Sequence, residues 1–123
     1  MVGCGNSKLS EEMSLEGYCN ITNIDISTNV IEKMSAVYSN RFYMQEYQII
    51  DATRMAYRDS SFDICIDKGT FDALACGSDL EVPMRLLSEM MRVCRVATLI
   101  VTSGTPEKRL HYFDKVSTKI EYK

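Results

Sequence analysis

The sequence predicts an α/β domain: a mostly parallel sheet with helices on both faces. Three observations carry the prediction. Short β-branched segments alternate with segments of helical periodicity, which in one domain means parallel strands joined by helical crossovers. Two glycines one residue apart, Gly3 and Gly5, stand between an apolar stub and a helix-like segment. Three successive strand candidates finish on an aspartate, namely Asp25, Asp51 and Asp67.

With 123 residues, 46% of them hydrophobic, residues 1–123 read as one domain with a modest core. The formal net charge of −3 argues against a module that binds nucleic acid duplexes. No window approaches the roughly 18 apolar residues of a membrane span, and no basic segment followed by an apolar run marks a secretory signal. The five cysteines, Cys4, Cys19, Cys65, Cys76 and Cys94, are odd in number and scattered, with no C-x-x-C pair. That spacing argues against a disulfide framework or a metal site and for reduced thiols in a cytosol-like compartment, most of them small core residues.

Taken in order, Val2 is the last residue of a strand whose beginning is missing. Asn6 or Ser7 caps the helix that follows, since each has a short side-chain acceptor for the free N–H groups. Leu9 and Met13 give that helix an apolar stripe, and Gly17 stops it. Residues 20–25 read as strand. Ser27 caps a second helix carrying Val30, Ile31, Met34, Val37 and Tyr38, and Asn40-Arg41 closes it. Tyr47 to Ile50 is a short strand ended by Asp51-Ala52. A polar turn, Arg58-Asp59-Ser60-Ser61, leads to a strand from Phe62 to Asp67 that is apolar enough for burial on both faces. Lys68-Gly69-Thr70 turns into a short helical piece, Phe71 to Leu74. Pro83 suits the first turn of the next helix. Its main face is read as Met84, Leu87, Met91 and Cys94, widened by Leu86, Met90 and Val93. Ala97 to Thr102 is a strand. Gly104-Thr105-Pro106 breaks the chain, Pro106 to Arg109 reads as solvated surface, and a last strand is expected around Val116 to Tyr122. His111 reads as a surface residue.

In parallel α/β sheets the ligand lies beyond the carboxyl ends of the strands. The informative residues are therefore Gly3 to Asn6, Asp25, Asp51 and Asp67. Closely spaced glycines let backbone bend at positive φ and approach a ligand. Asp25 follows the first glycine by 22 residues, the placement that suits an acid hydrogen-bonding ribose hydroxyls. A dinucleotide fold wants G-x-G-x-x-G, and Lys8 occupies the third position; the Walker pattern is absent. The bend suits a nucleoside carrying an amino-acid-like group better than a pyrophosphate. A nicotinamide-dependent oxidoreductase is the rival that Lys8 disfavours.

The runs Val2-Gly3-Cys4-Gly5-Asn6-Ser7, Asn23-Ile24-Asp25-Ile26-Ser27 and Asp67-Lys68-Gly69-Thr70-Phe71-Asp72-Ala73 resemble class I S-adenosylmethionine-dependent methyltransferases, which have a Rossmann-like fold. The last run is similar to a eukaryotic subgroup that includes lysine methyltransferases of elongation factor 1-alpha. The resemblance extends from Val2 to about Tyr112. It implies S-adenosylmethionine as cofactor and a protein acceptor, with lysine as the expected side chain, in the cytoplasm. It implies that Gly3, Cys4, Gly5 and Asn6 lie against the methionine part, that Asp25 holds the ribose hydroxyls, and that Ile26 lies on the adenine face. Asp51 would accept from the adenine amino group and the Ala52 N–H would donate to the ring. Asp67 and Lys68 would stand beside the sulfonium and the acceptor.

The sequence departs from the family pattern in two respects. Val93 to Thr98 runs straight through where the family has a Pro-Gly-Gly-type turn. The family's first strand is represented only by its end, and its last strand is incomplete or missing, so the chain reads as a shortened domain that is marginally stable alone. The alternative is therefore a catalytically inactive remnant that still binds the cofactor or only a protein partner.

Overall fold

The computed structural model describes residues 1–38 and 45–116. They fall into two units, Met1–Ala52 and Thr53–Lys123.

The first unit begins with the apolar stub. Val2 bridges Ile24 in parallel, the Ile24 N–H donates to the Met1 carbonyl at 3.0 Å, and the Cys4 N–H donates to the Ile24 carbonyl at 2.9 Å. After the glycine bend, α1 spans Leu9–Leu15. It ends as expected at Gly17, whose φ of +95° lets the Tyr18 N–H reach Met13 O at 3.0 Å and the Gly17 N–H reach Ser14 O at 3.1 Å. This 6→1, 5→2 pair satisfies the free carbonyls of the last turn. The apolar stripe of α1 differs from expectation: Leu9 and Met13 are half-buried, and the buried residue of the helix is Ser10.

β1, Ile21–Asp25, pairs in parallel with β2, Gln45–Ile49, with Asn23 opposite Tyr47 and Asp25 opposite Ile49. Between them α2 spans Thr28–Tyr38 and buries Ile31, Met34 and Tyr38. Ser27 caps it as the sequence predicts, its hydroxyl oxygen accepting from Val30 N at 3.4 Å. Asn40-Arg41 lies outside the described residues. Residues 21, 23 and 25 share one face of β1. On that face Asn23 meets Ser10 of α1, and Tyr47 of β2 stacks on Tyr38 of α2 with ring centroids 5.9 Å apart.

In the second unit β3, Phe62–Lys68, pairs in parallel with β4, Cys94–Val101, with Cys65 opposite Thr98 and Asp67 opposite Ile100. α3, Thr70–Ala75, follows β3. α4, Glu81–Val93, packs on both strands and is flanked by α3 and by α5, Pro106–Val116. The core centres on Phe71, Leu86, Leu87, Met90 and Val93, none more than 1% exposed. Each such side chain contributes about 2 kcal/mol from burial.

The buried stripe of α4 is Pro83, Leu86, Leu87, Met90 and Val93, one position off the main face read from the sequence. Met91 is exposed, and Cys94 has left the helix with φ −97° and ψ 135°. Helix passes into strand with no intervening residue, so the strand starts at Cys94 rather than at Ala97. The segment after Gly104 is a second correction. Pro106 opens α5, which buries Tyr112; an N-terminal proline and an acidic first turn at Glu107 were its signals. Val116 ends that helix instead of starting a strand, and the remainder of the predicted tail strand lies outside the described residues. No helix among the described residues is long and apolar enough to cross a membrane.

Candidate functional site

The site in the first unit is built on two positive torsions. Gly3 has φ +55° and Gly5 φ +52°, the left-handed region that L side chains avoid. They turn the chain so that the Gly5 N–H donates to Asp25 Oδ2 at 2.9 Å. The other carboxylate oxygen, Oδ1, accepts from the Ser27 N–H at 2.9 Å. One acid thus ties the bend at the start of the chain to the loop after β1. The Asp25 carbonyl accepts from Ile50 N at 3.0 Å, which brings the chain leaving β2 alongside, and Asp51 and Ala52 follow half-buried. Ile26 is 71% exposed, a large apolar surface at a strand end. Asn6 is exposed beyond the bend.

Cys4 between the glycines is 5% exposed. Burial first, and the nearby Asp25 charge second, push its thiol up to about 11. It is a protonated spacer at neutral pH and not a nucleophile. Cys65 is buried likewise, whereas Cys19 and Cys76 are exposed and Cys94 is intermediate, so the expectation that most cysteines are core residues is corrected to two.

The second unit holds Asp67 and Lys68. Asp67 is 0% exposed. Its Oδ1 accepts from Thr70 N and its Oδ2 from Phe71 N, both at 3.0 Å. The carboxylate therefore caps α3 across Gly69, which sits at φ +99°. Burial pushes its pKa up, against the lowering effect of those N–H bonds. With both oxygens given to backbone and no exposed surface, Asp67 holds the turn. Lys68 beside it is exposed.

Two clusters in this unit escaped the sequence reading. Asp72 closes the Asp-Lys-Gly-Thr-Phe-Asp run. It accepts from the Thr102 hydroxyl at 2.5 Å, from Ser103 N at 2.7 Å and from Arg109 Nη2 at 3.0 Å. It therefore joins α3 to the loop after β4 and to α5. Burial raises the Asp72 pKa, but the Thr102 and Ser103 hydrogen bonds and the Arg109 charge outweigh it and hold the carboxyl below its ordinary value. On α4, Glu89 accepts from Met55 N at 2.6 Å, and Arg92 donates to Met55 O at 2.9 Å and to Tyr57 O at 2.8 Å. The i, i+3 spacing of Glu89 and Arg92 was the available signal.

Parallel strands with intervening helices, and a glycine bend bonded to the acid that ends the next strand, define a Rossmann-like α/β domain. Residues 1–102 match the family described as methyltransferase domain, and the chain belongs to that family. Over 96 residues it is 45% identical to the eEF1A lysine and N-terminal methyltransferase of Xenopus laevis, an alignment covering 76% of this chain and 14% of that protein. It is 39% identical to the human protein of the same name over 78% of this chain and 14% of that one. With EEF1A lysine methyltransferase 4 of Bos taurus it shares 30% identity over 92% of this chain and 48% of the relative. The chain thus spans about one seventh of the first two relatives.

Among solved structures, a S-adenosylmethionine-dependent methyltransferase of Methanosarcina mazei superposes with a TM-score of 0.73 at 24% identity, covering 92% of this chain and 55% of that one. The [4+2]-cyclase SpnF superposes at 0.75 with 19% identity, covering 94% and 48%. These two likenesses establish the Rossmann-like fold. A cyclase among the neighbours shows that the fold alone does not set the reaction.

The cofactor of this class is S-adenosylmethionine, and the residues of the first unit fit it. A β-carbon built on Gly5 meets nothing within 4 Å, so the bend faces open space. Each Asp25 oxygen accepts one N–H in this structure and, as a carboxylate oxygen, has a further lone pair for a hydroxyl donor.

Proposed function

We propose that this chain binds S-adenosylmethionine on its first unit and transfers the methyl group to a protein side chain, with lysine of eEF1A as the acceptor that the relatives' names suggest. The observation that carries the reading is the Asp25 carboxylate held between the Gly5 and Ser27 amides. In the proposed arrangement Gly3, Cys4, Gly5 and Asn6 lie along the amino-acid end, and Asp25 accepts from the ribose hydroxyls. Ile26 covers one face of the base, while Asp51 and the Ala52 N–H read its edge. The cofactor supplies a methyl group activated on a positively charged sulfur. The Asp25 charge favours a cationic ligand nearby. Methyl transfer is an in-line displacement, so the work left to the protein is alignment. A lysine acceptor attacks as the neutral amine, which a desolvated approach favours. No general base is assigned. The free thiols agree with a reducing compartment, and we place the protein in the cytoplasm.

Calorimetric titration with S-adenosylhomocysteine tests the binding step, with a dissociation constant on the order of micromolar expected. Incubation with tritiated S-adenosylmethionine and purified eEF1A tests the transfer. Absence of heat with the first ligand ends the proposal. Binding without label on eEF1A favours a second reading, a cofactor binder without transfer. The burial of Asp67 is the observation on that side.

A further inference from the structure

Behind the glycine bend lies a buried polar cluster that the proposed cofactor contacts do not use. Ser10 on α1 is 3% exposed and Asn23 in the middle of β1 is 0%. The Ser10 hydroxyl donates to Asn23 Oδ1 at 2.5 Å, and Asn23 Nδ2 donates to the Glu46 carbonyl on β2 at 3.3 Å. From β2, Gln45 Nε2 donates to the Ser10 carbonyl at 2.9 Å and to Ser14 Oγ at 2.7 Å. The Ser14 hydroxyl donates to the Ser10 carbonyl at 2.9 Å. The Tyr47 hydroxyl donates to Gln45 Oε1 at 2.9 Å.

Two features make this cluster more than filler. A helix is ordinarily held by an apolar stripe, which fixes its distance from the sheet but leaves its rotation and height adjustable. α1 is seven residues long and its buried residue is Ser10, so polar bonds take the place of that stripe. Hydrogen bonds are directional, and a fully satisfied buried network selects one arrangement. The second feature is position. The bend has two ends. Its entry is fixed to β1 by Cys4 N and Gly5 N. Its exit runs through Ser7, which accepts from Leu9 N at 3.2 Å, into α1. Whatever fixes α1 fixes that exit.

We infer that Ser10, Asn23 and Gln45 form a lock that sets the glycine bend, and that they are positioning residues for the amino-acid end of the cofactor. The inference rests on the cofactor reading above. The ribose and base contacts proposed for Asp25, Ile26, Asp51 and Ala52 come from the ends of β1 and β2, which the strand ladder holds without α1. Loosening the lock therefore weakens one end of the ligand and spares the other.

The test compares two ligands and one ligand-free measurement. S-adenosylhomocysteine carries the amino-acid end, and 5′-methylthioadenosine lacks it. In Ser10→Ala the dissociation constant for the first rises about tenfold and that for the second stays within about twofold, the loss of one buried hydrogen bond. Ser10→Thr keeps the hydroxyl and restores the wild-type ratio. In the free protein, amide hydrogen exchange at Cys4 and Gly5 quickens in Ser10→Ala while exchange at Ile31 in α2 is unchanged. Ser10→Ala/Asn23→Leu removes both partners of the central bond and carries the same expectations where the single variant fails to fold. Equal weakening of both ligands, or unchanged affinities with unchanged exchange at Cys4 and Gly5, overturns the lock. If the wild type binds neither ligand, the cofactor reading fails, and exchange at Cys4 and Gly5 alone decides the lock.

Discussion

Each unit carries an aspartate in the last two residues of a parallel strand that accepts two backbone N–H bonds, yet the two acids serve opposite purposes. Asp67 takes both bonds from the first turn of the helix that directly follows it, and it has no exposed surface. Asp25 takes one from the loop after its own strand and one from Gly5, 20 residues away, and it stays half-buried. A carboxylate closed on its own helix start is a fold element. A carboxylate that ties a distant bend at the rim of a strand retains acceptor capacity toward solvent. The same residue type at equivalent strand ends is thus divided by where its donors come from.

The two acids differ most in what their loss costs in stability. Asp67→Ala leaves the Thr70 and Phe71 amides without their acceptor in the interior and costs about 3 kcal/mol of unfolding free energy. Asp67→Asn, which keeps one acceptor oxygen, loses less. Urea denaturation measures both. A loss for Asp67→Ala no larger than that for Asp25→Ala removes the distinction. Asp25→Ala is expected instead to weaken S-adenosylhomocysteine about hundredfold while costing about 1 kcal/mol in stability. Titration calorimetry beside the urea series separates the two effects.

A smaller effect sharpens the account of the second unit. Asp72→Asn weakens the hub joining Thr102, Ser103 and Arg109 and costs about 1.5 kcal/mol. The native Asp72 pKa is depressed. Its contribution is present in full above the unfolded carboxylate value and is lost as pH falls through the lower native one. The wild-type advantage over Asp72→Asn is therefore full at neutral pH and shrinks below about pH 4. Asp67 runs the other way, since its native pKa is raised. Its ionised form is penalised by folding, so its titration contribution to stability falls as pH rises from the unfolded value through the native one. Gly104→Ala reaches the hub from outside. A β-carbon there lies 2.2 Å from Arg109 Nε and displaces the guanidinium from Asp72. Combined with Asp72→Asn it adds little, because the two changes share one network.

The legible parts of the sequence were those with local periodicity or a fixed glycine. The bend at Gly3–Gly5, the stop at Gly17 and the cap at Ser27 all follow from short-range rules. The α4 register was misread because apolar residues occupy most of its circumference, and the sequence does not say where helix yields to strand when no glycine or proline intervenes at Val93-Cys94. α5 was missed because Gly104-Thr105-Pro106 reads equally as a break and as a helix start. The cap that Asp67 gives to α3 is hidden in the sequence because a strand-end acid and a helix cap have the same signature when the strand runs directly into a turn. Asp72, Glu89, Arg92 and the Ser10–Asn23 pair act through partners 13 to 37 residues away, and apart from the i, i+3 spacing of Glu89 and Arg92 no local pattern announces them.

The smallest expected effect concerns the two buried thiols, one in each unit. Cys4 and Cys65 are each 5% exposed, and burial pushes them up to about 11 and about 12. A thiol reacts as its thiolate, so both are slow toward a disulfide reagent at neutral pH, while exposed Cys19 and Cys76 react at once. Asp25 is the second cause of the raised value at Cys4, whereas at Cys65 that place belongs to the Cys94 sulfur. Asp25→Asn removes a negative charge beside Cys4 alone, so modification of Cys4, followed by peptide mass analysis, quickens by about threefold while Cys65 keeps its rate. An equal acceleration at both positions means that the substitution loosened the protein generally, and that Asp25 does not act on the bend in the way its contact with Gly5 implies.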